Sequence, residues 1–317
     1  MSERQGSSRE RAGTPAVRPA ATAVEPAVRP ADQRELPATG TAGPATATRA
    51  DAALPSLWSV TWVRARAELL AFTREREAVV FTFAFPILLL VIFGSVFGRE
   101  QIEGGVKFAQ YFVAGMIAAG LFGTSFQNLA IQIPIERDSG ALKRLAGTPM
   151  PKSAYFLGKV ILVAFVALVQ NVLLLAIGVI FYGLSLPASD RWPTYLWVGA
   201  LGITACTLLG IAATGLVRNG RSAPAIISPI AIVLQFISGV FFVFASLPSW
   251  MQSIAAIFPL KWMTQGMRSV FLPDAYAQQE PAGSWEHGRI ALVLAVWCVI
   301  GLVVAMRTFR WRSREDG

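Results

Sequence analysis

The sequence predicts an all-α integral membrane protein. It has six transmembrane helices, an amphipathic interfacial helix before the first span and a broken, re-entrant segment after the fifth. Three observations carry this class. Of the 317 residues, 54% are hydrophobic and only 15% charged, where a soluble domain is nearer a quarter charged. Beyond residue 77 the charges are confined to short stretches bounding six uncharged runs, 78–98, 108–135, 160–189, 192–217, 222–260 and 290–306. Basic residues also gather on one side of the spans these runs define. The net charge of +9 therefore marks span ends, and no nucleic-acid partner is expected.

Residues 1–55 contain no Ile, Phe, Tyr or Trp and are rich in Ala, Pro, Thr and Arg, with AVRPA at 16–20 and again at 27–31. Such a segment buries too little apolar surface to offset its ordering entropy. It reads as a disordered cytoplasmic tail without the apolar stretch of a secretory signal. Seven arginines against six acids leave it nearly neutral.

The stretch LWSVTWVRARAELLAFTRERE, 57–77, places Trp58, Trp62, Ala65, Leu69 and Phe72 on one helical face, with Arg64, Arg66, Glu68 and Arg74 off it. A helix with Trp on one side and Arg on the other lies in the membrane interface.

A bilayer core about 30 Å thick takes roughly 20 apolar helical residues. The first five runs reach that length, and the sixth extends through Gly288 with Arg289 snorkelling at its end. With six spans and both termini inside, the inner flanks carry fifteen Lys and Arg, and the outer flanks six. This is the asymmetry expected of a cytoplasmic face. Dividing the fifth run into two spans would put RTFRWRSR outside, so the six-span domain runs from 56 to 312, with a short cytoplasmic end at 313–317. The surplus of the fifth run falls in SLPSWMQSIAAIFPLKWMTQGMRSVF, 246–271, which Pro248 and Pro259 divide. Two short helices dipping into the outer leaflet fit it. An ordinary interfacial loop with Trp250 and Trp262 at headgroup depth is the alternative.

No Asp, Glu, Lys or Arg lies at mid-depth in any span. Ion-coupled transport usually needs one, so energy for transport would come from elsewhere. The intramembrane polar groups are amides: Gln127, Asn128 and Gln132, then Gln170 and Asn171, then Gln235. They either line a pathway or bond neighbouring helices. Gly115, Ala119 and Gly123 form a small-residue row suited to close helix contact.

The sequence offers no phosphate-binding GxxxxGK[ST], no HExxH and no GxSxG. Cys206 and Cys298 fall inside apolar runs, and His287 is the single histidine. No metal site and no cofactor in this chain are expected. Asp274, Glu280 and Glu286 are loosely spaced in a loop containing Pro and Gly and read as solvated.

Between the second and third runs lies PIERDSGALKRLAGTPM, 134–150. Pro134 can end the span, Ser139 and Gly140 can start a short helix, and Gly147 and Pro149 stop it. Leu142 and Leu145 sit on one face beside Lys143 and Arg144, an apolar knob with a basic collar directed at the cytosol. The stretch ERDSGALKRLAGTPM, followed by YFLGK, resembles the cytoplasmic loop of permease subunits of type-2 ABC exporters. FPLKWMTQGMR at 258–268 resembles that family's Pro-then-aromatic segment ending in Arg. The resemblance covers 57–312 and is nearest the drug-resistance, daunorubicin-export branch.

The resemblance implies a permease without its own ATP site, present as a homodimer or with a similar chain. A separate ATPase subunit, holding ATP and Mg, would dock on it. Glu136, Arg137, Gly140, Leu142, Lys143, Arg144 and Leu145 would form the ATPase-coupling element. Gln127, Asn128, Gln170, Asn171 and Gln235 are the pathway candidates, and Pro259, Trp262 and Arg268 belong to an outer gate. The expected activity is export of a hydrophobic small molecule, drug or lipid-like, across the plasma membrane. Export of polysaccharide or lipid-linked glycan is the alternative. A membrane-embedded transferase would need leaflet-facing carboxylates or His, and a non-transporting assembly protein would tolerate changes to the amides.

Overall fold

The computed structural model describes residues 56–98, 100–148 and 150–308, so the tail 1–55 and the end 313–317 lie outside the described residues. Helix α1 (Leu57–Arg74) begins at Ser56, whose side chain accepts the Ser59 N–H at 3.2 Å, a hydroxyl N-cap. The face it buries shares only Ala65 with the apolar stripe. Trp58 and Trp62 are exposed, and Thr61, Ala65 and Glu68 turn inward. They lie against α6 (Lys152–Tyr182). Glu68, read from sequence as part of the polar face, is buried because α6 presents Lys159 to it, and Arg64 is half-buried beside the carboxylates of Glu68 and Glu136.

Among the described residues, six helices are long and apolar enough to cross a membrane. The first is α2 (Arg76–Phe97). The second joins α3 (Phe108–Phe122), a π-helical turn (Gly123–Gln127) and α4 (Asn128–Asp138). The third is α6. The fourth is α7 (Trp192–Ala213), the fifth α8 (Ala223–Ile237) and the sixth α11 (His287–Thr308). Between the second and third lies the six-residue α5 (Ala141–Ala146).

The second span is the axis of the bundle. Its most apolar window is 83% buried, against 17% for the first span and 22% for the sixth. Small residues permit this. A Cβ on Gly115 would lie 2.7 Å from the Val240 carbonyl oxygen, and one on Gly120 would run into the Gln170 amide. The predicted row Gly115, Ala119, Gly123 packs at its first two members and is open at Gly123, where nothing lies within 4 Å of a Cβ. Gly120, outside the row, makes the second close approach.

Pro134 does not end the span, contrary to the sequence reading. It denies the Ala130 carbonyl its usual donor, yet α4 runs on to Asp138. The last turn is held by side-chain bonds from Glu136, Arg137 and Asp138 to three other segments, described below.

After α8 the chain turns back through Gly239 (φ +74) and forms α9 (Ser249–Ala255) and α10 (Pro259–Phe271). Pro248 precedes α9, and Pro259 takes the first turn of α10, where a missing N–H costs nothing. Every residue of α10 is buried, against α3, α7 and α11. The loop alternative therefore fails for Trp262, which is 1% exposed, and describes only Trp250, which is exposed. A two-stranded hairpin, β1 (Gln101–Ile102) and β2 (Val106–Lys107), follows the first span and is the sole strand pairing among the described residues.

Six alternating spans put α5 and the 214–222 connection at one end of the bundle. The hairpin, the 183–191 connection and the α9–α10 segment with its loop 272–286 lie at the other.

Candidate functional site

At the α5 end, Gly140 adopts φ +72, a left-handed backbone that glycine takes without steric cost. The turn folds α5 back toward α4. Six residues cannot hold a helix unaided, and Leu142 supplies the anchor. It is 0% exposed, packed with Leu129, Ile133, Tyr155, Val163 and Ile211. This corrects the sequence reading, which directed both leucines at the cytosol. Leu145 is half-buried against the same cluster, while Lys143 and Arg144 are exposed.

Glu136 is the hub beneath α5. Its carboxylate accepts from the Lys159 ammonium at 2.6 Å and from the Tyr155 hydroxyl at 2.7 Å. Lys159 also lies 3.1 Å from Glu68 on α1, which pairs with Arg64 one turn back. Arg64 in turn stands 3.8 Å from Glu136 and above the Tyr155 ring, 5.1 Å from its centroid. Lys159 is 4% exposed in its side chain and Glu68 9%, yet each charge faces an opposite one. The last turn of α4, the first turns of α6 and the middle of α1 are thereby joined by one network.

The next two residues bind a fourth segment. Arg137 donates to the Val217 carbonyl at 2.9 Å, and the Asp138 carboxylate accepts the Gly220 N–H. A Cβ on Gly220 would lie 2.8 Å from the Ile135 Cα. The connection between the fourth and fifth spans is thus clamped to the end of the second. Nothing in the sequence marks this clamp, because its partners on 217–220 are backbone groups, a carbonyl that accepts and an N–H that donates.

The amides separate into two sets. Gln170 and Asn171 are buried inside the bundle, Gln170 against Gly120 and Asn171 donating to the Tyr195 hydroxyl at 2.7 Å. The Asn171 carbonyl oxygen is buried without a hydrogen-bond partner among the described residues. Gln127 and Asn128 on the second span and Gln235 on the fifth are half-buried. Gln127 reaches Ser228 of α8 at 3.4 Å. The structure does not bring the five into one cluster.

At the α10 end, Arg268 is 1% exposed. Its guanidinium lies 3.5 Å from the Glu280 carboxylate and 4.0 Å from the Tyr111 ring centroid, and it donates to the Gly239 carbonyl. Glu280 is 5% exposed, so the reading of the loop acids as solvated is wrong for it. Asp274 is exposed and pairs with Arg191 at 3.1 Å. Glu286 pairs with Arg289 at 2.9 Å. Burial would raise the Glu286 carboxyl, but the bonds from Arg289 and Gln265 hold it below its ordinary value. Trp262 donates to the Ala256 carbonyl at 2.8 Å and lies between Lys261, 3.7 Å from its ring, and Arg289 at 5.0 Å. Pro259 is buried at the head of the same helix. His287 meets the Ser269 hydroxyl at 2.9 Å.

Sequence reasoning missed Glu68, Lys159 and Glu280. A signal existed for the last. Tyr276 and Trp285 are large ring residues on either side of it, and a loop that buries both carries the acid between them inward.

Six apolar spans, a short helix clamped between the second and third, and a helix pair after the fifth whose second member is buried define a multi-pass membrane permease. The chain belongs to the ABC-2 type transporter family, whose sequence pattern matches residues 59–272. It is 24% identical over 195 residues to the protein described as transport permease YvfS of Bacillus subtilis, covering 61% of this chain and 78% of that one. It is 23% identical over 236 residues to the protein described as transport permease ycf38 of Porphyra purpurea, covering 72% and 80%. Over 255 residues it is 25% identical to DrrC of Mycobacterium tuberculosis, described as a doxorubicin resistance ABC transporter permease, covering 78% and 88%. The family makes the chain a transport subunit that is not itself catalytic, and implies an ABC ATPase as its partner.

Proposed function

We propose that this chain is the membrane-spanning half of an ATP-driven exporter. It carries hydrophobic small molecules out across the plasma membrane, with the α5 end in the cytoplasm and a second permease chain completing the pathway. The observation that carries the reading is the clamp beneath α5. Glu136 ties the second span to α1 and α6, while Arg137 and Asp138 tie it to 217–220. A displacement of α5 by a docked ATPase would therefore move four segments together. The basic asymmetry of the span flanks supports the orientation. DrrC's description as a doxorubicin resistance permease supports an apolar cargo and outward direction. Lys143 and Arg144, exposed beside the half-buried Leu145, form the contact surface, and an acidic rim on the ATPase is the complement.

The test is co-expression with the ATPase encoded beside it and recovery by a tag on this chain. The comparison is between the wild type and the double substitution Lys143→Glu with Arg144→Glu. Both side chains are exposed, so reversing their charge buries no new charge. Recovery of the ATPase is expected to fall at least tenfold. Equal recovery would remove α5 as the docking element, and absence of an ATPase from both samples would remove the exporter reading.

A further inference from the structure

Two segments that sequence gives as loops cover the α10 end. Val106, Tyr111, Leu272, Tyr276 and Trp285 form one buried cluster, with Ile102, Val243 and Ala277 packed on it. Tyr276 sits 5.7 Å from Tyr111 and 6.3 Å from Trp285 between ring centroids. Burial pushes its phenol up to about 12, against the pull of Arg268. Gly104, at the tip of the hairpin, lies against the Tyr276 ring.

The ties that join the 272–286 loop to the bundle differ in kind. At its start Arg191 donates to the Leu272 carbonyl and pairs with the exposed Asp274. At its end the Gln265 amide donates to the Trp285 carbonyl at 3.2 Å. Water can replace bonds of these two kinds without stranding a charge. Between them stands Arg268–Glu280, with side chains 1% and 3% exposed. The Arg268 Nε and one Glu280 oxygen have no hydrogen-bond partner among the described residues.

A buried ion pair with unfilled hydrogen-bond capacity is a poor device for stability, since two charges have given up their water for an imperfect contact. It suits a contact that must open. Lifting the loop rehydrates both charges while exposing the apolar cluster, so the two terms oppose. Opposed terms of this kind are what a two-state element is built from.

We infer that residues 272–286 and the 101–107 hairpin form a cap sealing the outer end of the pathway. Arg268 and Glu280 are the positioning residues that latch it in the resting state, and each transport cycle releases it. The role in transport rests on the exporter reading; the latch itself does not.

The experiment uses the full chain with its ATPase in vesicles of known orientation, with Cys206 and Cys298 replaced by Ala. Thr264→Cys is the reporter. Thr264 is 0% exposed and one turn from Arg268. A membrane-impermeant maleimide added at the outer face should label it at least tenfold faster in Glu280→Gln than with the native latch when ATP is absent. ATP should raise the rate with the native latch toward that of the variant. Equal rates without ATP, in two chains recovered equally from detergent, overturn the latch.

If Glu280→Gln fails to fold, a second pair decides. A Cβ on Gly104 would lie 3.5 Å from the Gln279 Cγ, so Gly104→Cys with Gln279→Cys can close a disulfide. The positive φ at Gly104 strains the cysteine equally when oxidised and reduced, so it cancels in the comparison. Oxidation should stop export and reduction restore it, with ATPase recovery unchanged. Export that survives oxidation overturns the moving cap. Failure of the exporter reading looks different: no ATPase is recovered and no chain exports, while the resting contrast between the native latch and Glu280→Gln persists.

Discussion

At the α5 end, Arg64, Glu68, Glu136, Lys159 and Tyr155 share one network in which each acid faces two cations. At the α10 end, one arginine meets one carboxylate 3.5 Å away. The α5 network is partly wetted, with Glu136 21% and Arg64 17% exposed in their side chains, while the α10 pair is sealed at 1% and 3%. Redundancy and water make the first tolerant of losing a member. The second has neither. An element that transmits force must survive strain, and the α5 network is built that way. A contact that must be wholly made or wholly broken is better built as a single sealed pair.

Removing one charge from each end tests that difference most directly. Arg268→Met leaves Glu280 ionised and buried, and such stranding costs about 3–5 kcal/mol. Arg268→Met combined with Glu280→Leu should recover most of the loss, because a packed apolar pair replaces a buried ion pair at little cost. Denaturant unfolding in detergent measures both. A double variant as unstable as the single one would mean that the Tyr111 and Gly239 contacts, rather than the ion pair, carry the effect.

Leu142→Ala comes next. Truncation of a buried leucine costs about 2–5 kcal/mol, and the lower half is expected because the cluster lies near the end of the bundle and can relax. That cost should fall first on the packing of α5, seen as proteolysis within 139–148 that rises by more than the loss measured for the spans. Uniform destabilisation would mean that Leu142 belongs to the core rather than to the loop.

Lys159→Met removes the shared cation of the network, but Arg64 remains beside both acids. The expected cost is about 1.5–3 kcal/mol, the range for one hydrogen bond to a charged group. A Lys159→Met, Glu136→Gln cycle should give a coupling smaller than that of the Arg268, Glu280 cycle. A larger coupling would reverse the comparison between the two ends.

Much of this architecture was legible before the structure. The six spans follow from uncharged runs and bilayer thickness, and the division of 246–271 follows from Pro248 and Pro259. The short α5 follows from Gly140 and Gly147 around ALKRLA. What stayed hidden shares one physical cause. The inward turn of Glu68, the clamp from Arg137 to the Val217 carbonyl and the burial of Glu280 each depend on a partner far away in sequence. Local pattern reports amphipathicity, and a charge on a polar face looks solvated until its counter-ion is known. Leu142 misled for a related reason: two leucines three apart define a face, but not which way the face points.

The smallest stability effect carries the functional question of the amides. Gln127 closes the π-helical turn of the second span and reaches Ser228 on the fifth at 3.4 Å. Interhelical bonds of this sort contribute about 0.6 kcal/mol on average in membranes, and a 3.4 Å bond should fall at or below that. Gln127→Leu should therefore leave unfolding almost unmoved. Asn171→Leu should cost more, because it breaks the 2.7 Å bond to Tyr195 inside the bundle. If both amides served only to join helices, loss of export would follow loss of stability and Asn171→Leu would be the worse transporter. If the half-buried amides face the cargo, the order inverts, and Gln127→Leu impairs export while remaining as stable as the native chain. Export rate plotted against unfolding free energy for the two variants separates these cases, since only a residue in the pathway falls off the line that stability alone would draw.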